Sequence, residues 1–171
     1  TAEILGESIS HPEKYLSSVG AMIEGPAFYP ALSGEENLKV LATLGGFPIE
    51  RVNELISTVG LDGRGGSKYK TYSLGMKQRL GIAAALLPNP KLLILDEPSN
   101  HLDMKTKDII KDALKAFDGT LVVVSHDRDF LDGLVTKVFE FGNKRVREHF
   151  EDINGFLRNK KMENLREVER K

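Results

Sequence analysis

A chain of 171 residues, 40% apolar and 29% charged, has room for one folded domain with a sizeable core and is too apolar for a disordered segment. Its 24 basic and 25 acidic side chains leave a net charge of −1, so bulk charge favours neither nucleic acid nor a membrane surface, and the lack of cysteine excludes disulfides and thiolate metal sites. No apolar run reaches spanning length and the first residues carry no leader pattern, so direct membrane insertion is not expected.

Ser10-His11-Pro12-Glu13 has the spacing of a capping box and predicts a short helix through Tyr15 and Leu16. Val19 to Ile23 predicts a short strand, and Gly25, Pro26 and Pro30 impose a loop from Glu24 to Leu32. Ser33-Gly34-Glu35-Glu36 is a second capping box, opening a helix with Leu38, Leu41 and Leu44 on one side. Pro48 starts another helix, with Val52, Leu55, Ile56 and Val59 at helical spacing, and the glycines from Gly60 to Ser67 predict a turn. A helix from about Gly75 to Leu87 is stopped by Pro88-Asn89-Pro90. Leu92 to Asp96 reads as a buried parallel strand, and Pro98 to Met104 as a loop. Ile109, Ile110, Ala113, Leu114 and Phe117 mark the next helix, before a second buried strand at Leu121 to Val124. Val135 to Phe141 and Lys144 to Phe150 flank Gly142-Asn143, an antiparallel hairpin signal. The tail from Phe156 has six basic and three acidic residues and predicts a mostly solvated helix or arm.

The chemistry gathers around Leu92-Leu93-Ile94-Leu95-Asp96-Glu97. A buried strand ending in two acids delivers carboxylates to the carboxyl edge of a sheet, suited to holding Mg²⁺ and polarising a water beside a nucleotide phosphate. Tyr72-Ser73-Leu74-Gly75-Met76 opens a helix with a hydroxyl and a glycine, the residues needed to bring backbone amides against phosphate oxygens. His126 stands just past the second strand, where an imidazole is placed to bond a terminal phosphate or orient water.

This order of motifs resembles the nucleotide-binding domain of ABC ATPases over most of the chain. The implied fold class is α/β, a partial P-loop NTPase fold of the ABC type. It would comprise a helical subdomain at about 26–88, parallel core strands at about 91–150, and a C-terminal β-hairpin plus helix. The boundaries expected are a partial ATPase domain at 1–151 and a basic C-terminal helix or arm at 152–171. Tyr72 to Met76 is similar to the family signature, with Leu74 and Met76 in place of Gly and Gln. In the family this segment covers the terminal phosphate of ATP bound to a second ABC domain, so Ser73 and Gly75 would act in trans. Leu92 to Glu97 resembles Walker B, which implies that Asp96 holds Mg²⁺ through water and that Glu97 polarises the attacking water. Ser99 to Asp103 resembles the D-loop, with Asp103 at the dimer seam. His126 matches the switch histidine, and Glu24 stands at the Q-loop position, normally a glutamine.

The phosphate-binding pattern Gly-x-x-x-x-Gly-Lys-Ser/Thr is missing: Gly60 and Gly65 have the spacing, but Gly66-Ser67 follows and a helix rather than a strand precedes. The chain opens at Thr1 without Met and in mid-pattern, so it reads as a fragment whose phosphate loop lies upstream. Alone it is expected to bind ATP and Mg²⁺ weakly and to have doubtful ATPase activity, with an exposed apolar sheet edge. Val19 to Leu38 and Tyr72 to Ala83 resemble ATPases of drug and bacteriocin exporters, whereas Ser99 to Asp103 and Val124 to Asp132 resemble the ABC-F group, which commonly acts on the ribosome. The resemblance therefore implies an energising subunit for a membrane permease, cytoplasmic and peripheral to the membrane. The alternatives are an ABC-F translation or antibiotic-resistance factor, and a non-catalytic fragment or chimera.

Overall fold

The apolar run ending at Asp96 forms the middle strand of a three-stranded parallel sheet. The computed structural model describes residues 2–23, 27–142 and 144–169. Val19–Met22 pairs with Leu92–Asp96 in register Val19↔Leu92, and Leu92–Asp96 pairs with Thr120–Val124 in register Leu92↔Thr120. Parallel neighbours need long crossovers. Here these are the helices Gly34–Gly45, Arg51–Thr58 and Leu74–Leu86 before the middle strand, and Met104–Lys115 after it. An antiparallel pair, Glu3–Ile4 with Glu7–Ser8, precedes the sheet. Numbered in chain order, the strands so far are β1 (Glu3–Ile4), β2 (Glu7–Ser8), β3 (Val19–Met22), β4 (Leu92–Asp96) and β5 (Thr120–Val124). The helices are α1 (Gly34–Gly45), α2 (Arg51–Thr58), α3 (Leu74–Leu86) and α4 (Met104–Lys115).

The backbone divides into two compact units, residues 1–125 and 126–171. The second holds a short helix α5 (Arg128–Leu131), the antiparallel hairpin β6 (Val138–Gly142) with β7 (Arg145–His149), and the C-terminal helix α6 (Ile153–Glu169). The hairpin and the last helix follow the sequence expectation. The Asn143 half of the Gly142-Asn143 turn lies outside the described residues.

The core of the first unit draws on every layer. Leu93 and Leu95 of β4, Leu80 and Ile82 of α3, Val52 and Leu55 of α2, and Ile110 of α4 are all buried. Gly20 lets β3 and α3 meet: a Cβ there would stand 2.0 Å from the carbonyl oxygen of Ala85.

Three local expectations are corrected, and one element was not expected. Ser10 caps nothing, and the segment forms two 3-10 turns, Pro12–Lys14 and Leu16–Ser18, the first with His11 at its N-cap and no side-chain cap. His11 precedes a proline, which disfavours helical backbone there, so a helix beginning early enough for Ser10 to cap it is blocked. In α1, Leu38 is buried but Leu41 and Leu44 are exposed, Leu44 at 78%. Steps of three residues rotate by −60° each at 3.6 residues per turn, so the leucines spiral off the inner face, which Gly34, Asn37, Leu38 and Ala42 occupy instead. Strand β5 is not buried: it alternates, leaving Val122 46% and Val124 55% exposed at the sheet's edge. The β1–β2 hairpin had no counterpart in the sequence reading, and its loop residues Leu5 and Gly6 both have positive φ, 53° and 81°.

Candidate functional site

Two helix starts stand side by side. Ser73, in extended backbone, caps α3 by accepting from the Met76 amide at 3.3 Å. Asp103 caps α4 by accepting from the Thr106 amide at 2.8 Å. Gly75 holds the two together, since a Cβ there would lie 3.0 Å from Thr106 Cγ2 and 3.1 Å from its Oγ1. The first turn of α3 presents backbone amides that have no intrahelical acceptor, beside an exposed Ser73.

Charge at this junction is internally matched. The Thr106 backbone and side chain donate to Asp103 and hold its carboxyl below the usual carboxylate range; burial opposes them, and the nearby Arg79 and Lys105 charges add lesser support. Arg79 itself donates to the carbonyls of Gly60 at 2.5 Å and Val59 at 3.3 Å, closing the end of α2, and to Gly75 O at 3.4 Å. Burial lowers its pKa while Asp103 and Tyr72 oppose that.

At the carboxyl end of β4, Asp96 is half-buried, and among the described residues no hydrogen bond or ion pair engages its carboxylate. Glu97 follows in left-handed backbone at φ 46°, a conformation uncommon for a residue with a Cβ, and its amide donates to Val124 O at 2.8 Å. The Ser125 hydroxyl approaches Glu97 Oε2 at a long 3.5 Å and lies 3.3 Å from the hydroxyl of Ser99, which is buried. Thus the ends of β4 and β5 bring Asp96, Glu97, Ser99 and Ser125 together. His101, in the loop before Asp103, is also left-handed at φ 58°. His126 is exposed and opens the second unit. Glu24 lies outside the described residues.

A divalent ion fits the donor chemistry at β4. Among the described residues no three carboxylates or imidazoles converge. A magnesium ion there would take one or two carboxylate contacts and complete its shell with phosphate and water, the usual mode for a nucleotide-bound magnesium.

The sequence reading attached no role to Arg79 or to Ser125. It also missed Asn37, 1% exposed, whose amide bonds Tyr29 N, Tyr29 O and Ser33 O at 2.8, 3.1 and 2.8 Å. An asparagine on the inner face of an amphipathic helix, eight residues past an exposed tyrosine, is the one signal that was available.

The family model for ABC transporter matches residues 1–100. The ABC transporter ATP-binding protein YdbJ of Bacillus subtilis is 52% identical over 116 residues, covering 65% of this chain and 37% of that protein. The lantibiotic transport ATP-binding protein SrtF of Streptococcus pyogenes is 34% identical over 160 residues, covering 92% of this chain and 63% of its own length. The chain thus spans less than two thirds of the length of these relatives. In three dimensions it superposes on cbiO1 of Clostridium perfringens, part of the ABC transporter complex cbiONQ, with a TM-score of 0.73 and 25% identity, covering 86% of this chain and 64% of that one. The family match, the parallel sheet with its crossover helices and the relatives agree: this chain belongs to the ABC transporter family, as an ATPase domain of mixed α/β fold.

Proposed function

We propose that this chain serves in an ATP-hydrolysing ABC domain that energises export through a membrane permease. The observation that carries the reading is the carboxyl end of β4, where the Asp96 carboxylate has no hydrogen bond or ion pair among the described residues and Glu97 is held in left-handed backbone beside the end of β5. Asp96 would hold Mg²⁺ through water, and Glu97 would accept the proton of the attacking water. Bound ATP and its magnesium supply the phosphoryl group and the charge neutralisation; the chain supplies orientation and a base. Ser73 and the first-turn amides of α3, around Gly75, would close over the terminal phosphate of ATP held by a second ABC domain. Asp103 would stand at the seam between the two domains, and His126 would bond the terminal phosphate. Glu24 would complete the approach to the metal. The exposed Tyr29, Leu41, Leu44 and Ile49 offer an apolar surface for the permease.

No phosphate-binding loop occurs in the 171 residues, so the test supplies one. With the preceding segment of an exporter ATPase fused upstream of Thr1, Glu97→Gln abolishes turnover and leaves ATP binding intact. Undiminished turnover in that variant removes Glu97 from catalysis. The second reading, an ABC-F factor, rests on Ser99 to Asp103 and Val124 to Asp132. It predicts co-sedimentation with ribosomes that disappears at high salt, with exposed Arg158 and Lys161 among the candidate contacts.

A further inference from the structure

The exposed segment before α1 and the start of α3 are far apart in sequence, yet they form one interlocked body. Tyr29, 60% exposed, is gripped on both sides of its peptide by the buried Asn37 amide, which also holds Ser33 O. Its neighbour Phe28 packs edge-on against Tyr69 with ring centroids 5.1 Å apart, and Tyr69 packs against Tyr72 at 5.8 Å. The backbones are stitched alongside: Lys70 N donates to Pro30 O, Tyr69 N to Leu32 O, Gly34 N to Ser67 O and Glu35 N to Gly65 O. Tyr72 closes the assembly. Its hydroxyl donates to Arg64 O at 2.8 Å and lies 2.2 Å from where a Cβ of Gly34 would stand, a space only glycine leaves open. The next residue is Ser73, whose hydroxyl sets the first turn of α3.

The links are hydrogen bonds and ring contacts centred on the buried Asn37, Tyr69 and Tyr72, with the half-buried Phe28 at the outer end, so they run without a break from Tyr29 to Ser73. The alternative, that these residues only fill a core, leaves unexplained why a buried, three-bonded amide is aimed at the peptide of an exposed tyrosine. We propose that Asn37, Tyr69 and Tyr72 are positioning residues for Ser73, a rigid connection that fixes the α3 start according to where the Tyr29 segment is held. The proposal rests on the reading above for the use made of Ser73, but the connection itself is testable without nucleotide.

The test is amide hydrogen exchange on the intact 171-residue chain, comparing Met76, capped by Ser73, with Thr106, capped by Asp103. Asn37→Ala and Tyr69→Leu are each expected to raise Met76 exchange about tenfold or more while leaving Thr106 within a factor of about two. Gly34→Ala, which drives a methyl into the Tyr72 hydroxyl, also raises Met76 exchange, and adding Tyr72→Phe brings it part of the way back. Unchanged Met76 exchange overturns the proposal. Equal acceleration at Met76 and Thr106 overturns it too, because that is general destabilisation. A selective effect on Met76 in a chain whose Glu97 later proves dispensable would sustain the connection and remove the catalytic reading alone.

Discussion

At the residue scale, Gly20 shows how little clearance separates the sheet from the helices. A methyl at that position would overlap the Ala85 carbonyl, and backbone cannot swing aside as a flexible side chain does. Gly20→Ala is therefore expected to cost about 1–3 kcal/mol, read as a shift in urea midpoint at constant slope. The site residues differ in how far their positions explain themselves. Gly75 and Asp103 have full structural duties, spacing α3 from α4 and capping α4. The backbone of Asp96 pairs with β5, but its carboxylate has no hydrogen bond or ion pair among the described residues, which makes it the more telling functional candidate.

At the element scale, the caps decide where helices begin. Ser33 and Glu36 form a reciprocal box, with Oγ accepting from Glu36 N at 3.1 Å and the Glu36 carboxylate accepting from Ser33 N at 2.7 Å. Ser33→Ala should cost about 1 kcal/mol in thermal or urea unfolding. The box is also pH-sensitive. The Ser33 amide, then its hydroxyl, lower the Glu36 pKa below the ordinary 4.5. That contribution is complete above 4.5 and is lost as pH falls through the depressed value. Glu36→Gln, which still reaches back to Ser33, should flatten this acid limb while keeping most neutral-pH stability. The box was legible in sequence because it is written within four consecutive residues. So were α2, with all four of Val52, Leu55, Ile56 and Val59 buried, and the strand ending at Asp96. What escaped was set by distance. The rotation of α1 depends on what lies against it, and the ring stack from Phe28 to Tyr69 and Tyr72 joins residues that no local pattern connects.

At the scale of the molecule, the sheet ends in strands with free edges among the described residues, and β5 exposes Val122 and Val124 on one face. Such a surface favours pairing between copies. The chain is expected to self-associate with rising concentration, and Val122→Lys with Val124→Lys to suppress this without changing the circular dichroism spectrum. Sedimentation velocity across a concentration series checks it; indistinguishable profiles for parent and variant would clear this face. The same sheet imposes an order of assembly. Val19 cannot meet Leu92 until all the chain between them has been made, and β5 pairs with β4 later still. On the ribosome, β3 must wait while α1, α2 and α3 gather through shorter-range contacts. The Asn37 clamp and the Tyr69 and Tyr72 rings draw only on residues that precede β4 in the chain, so the grip on the Tyr29 segment needs nothing from the strand that carries Asp96.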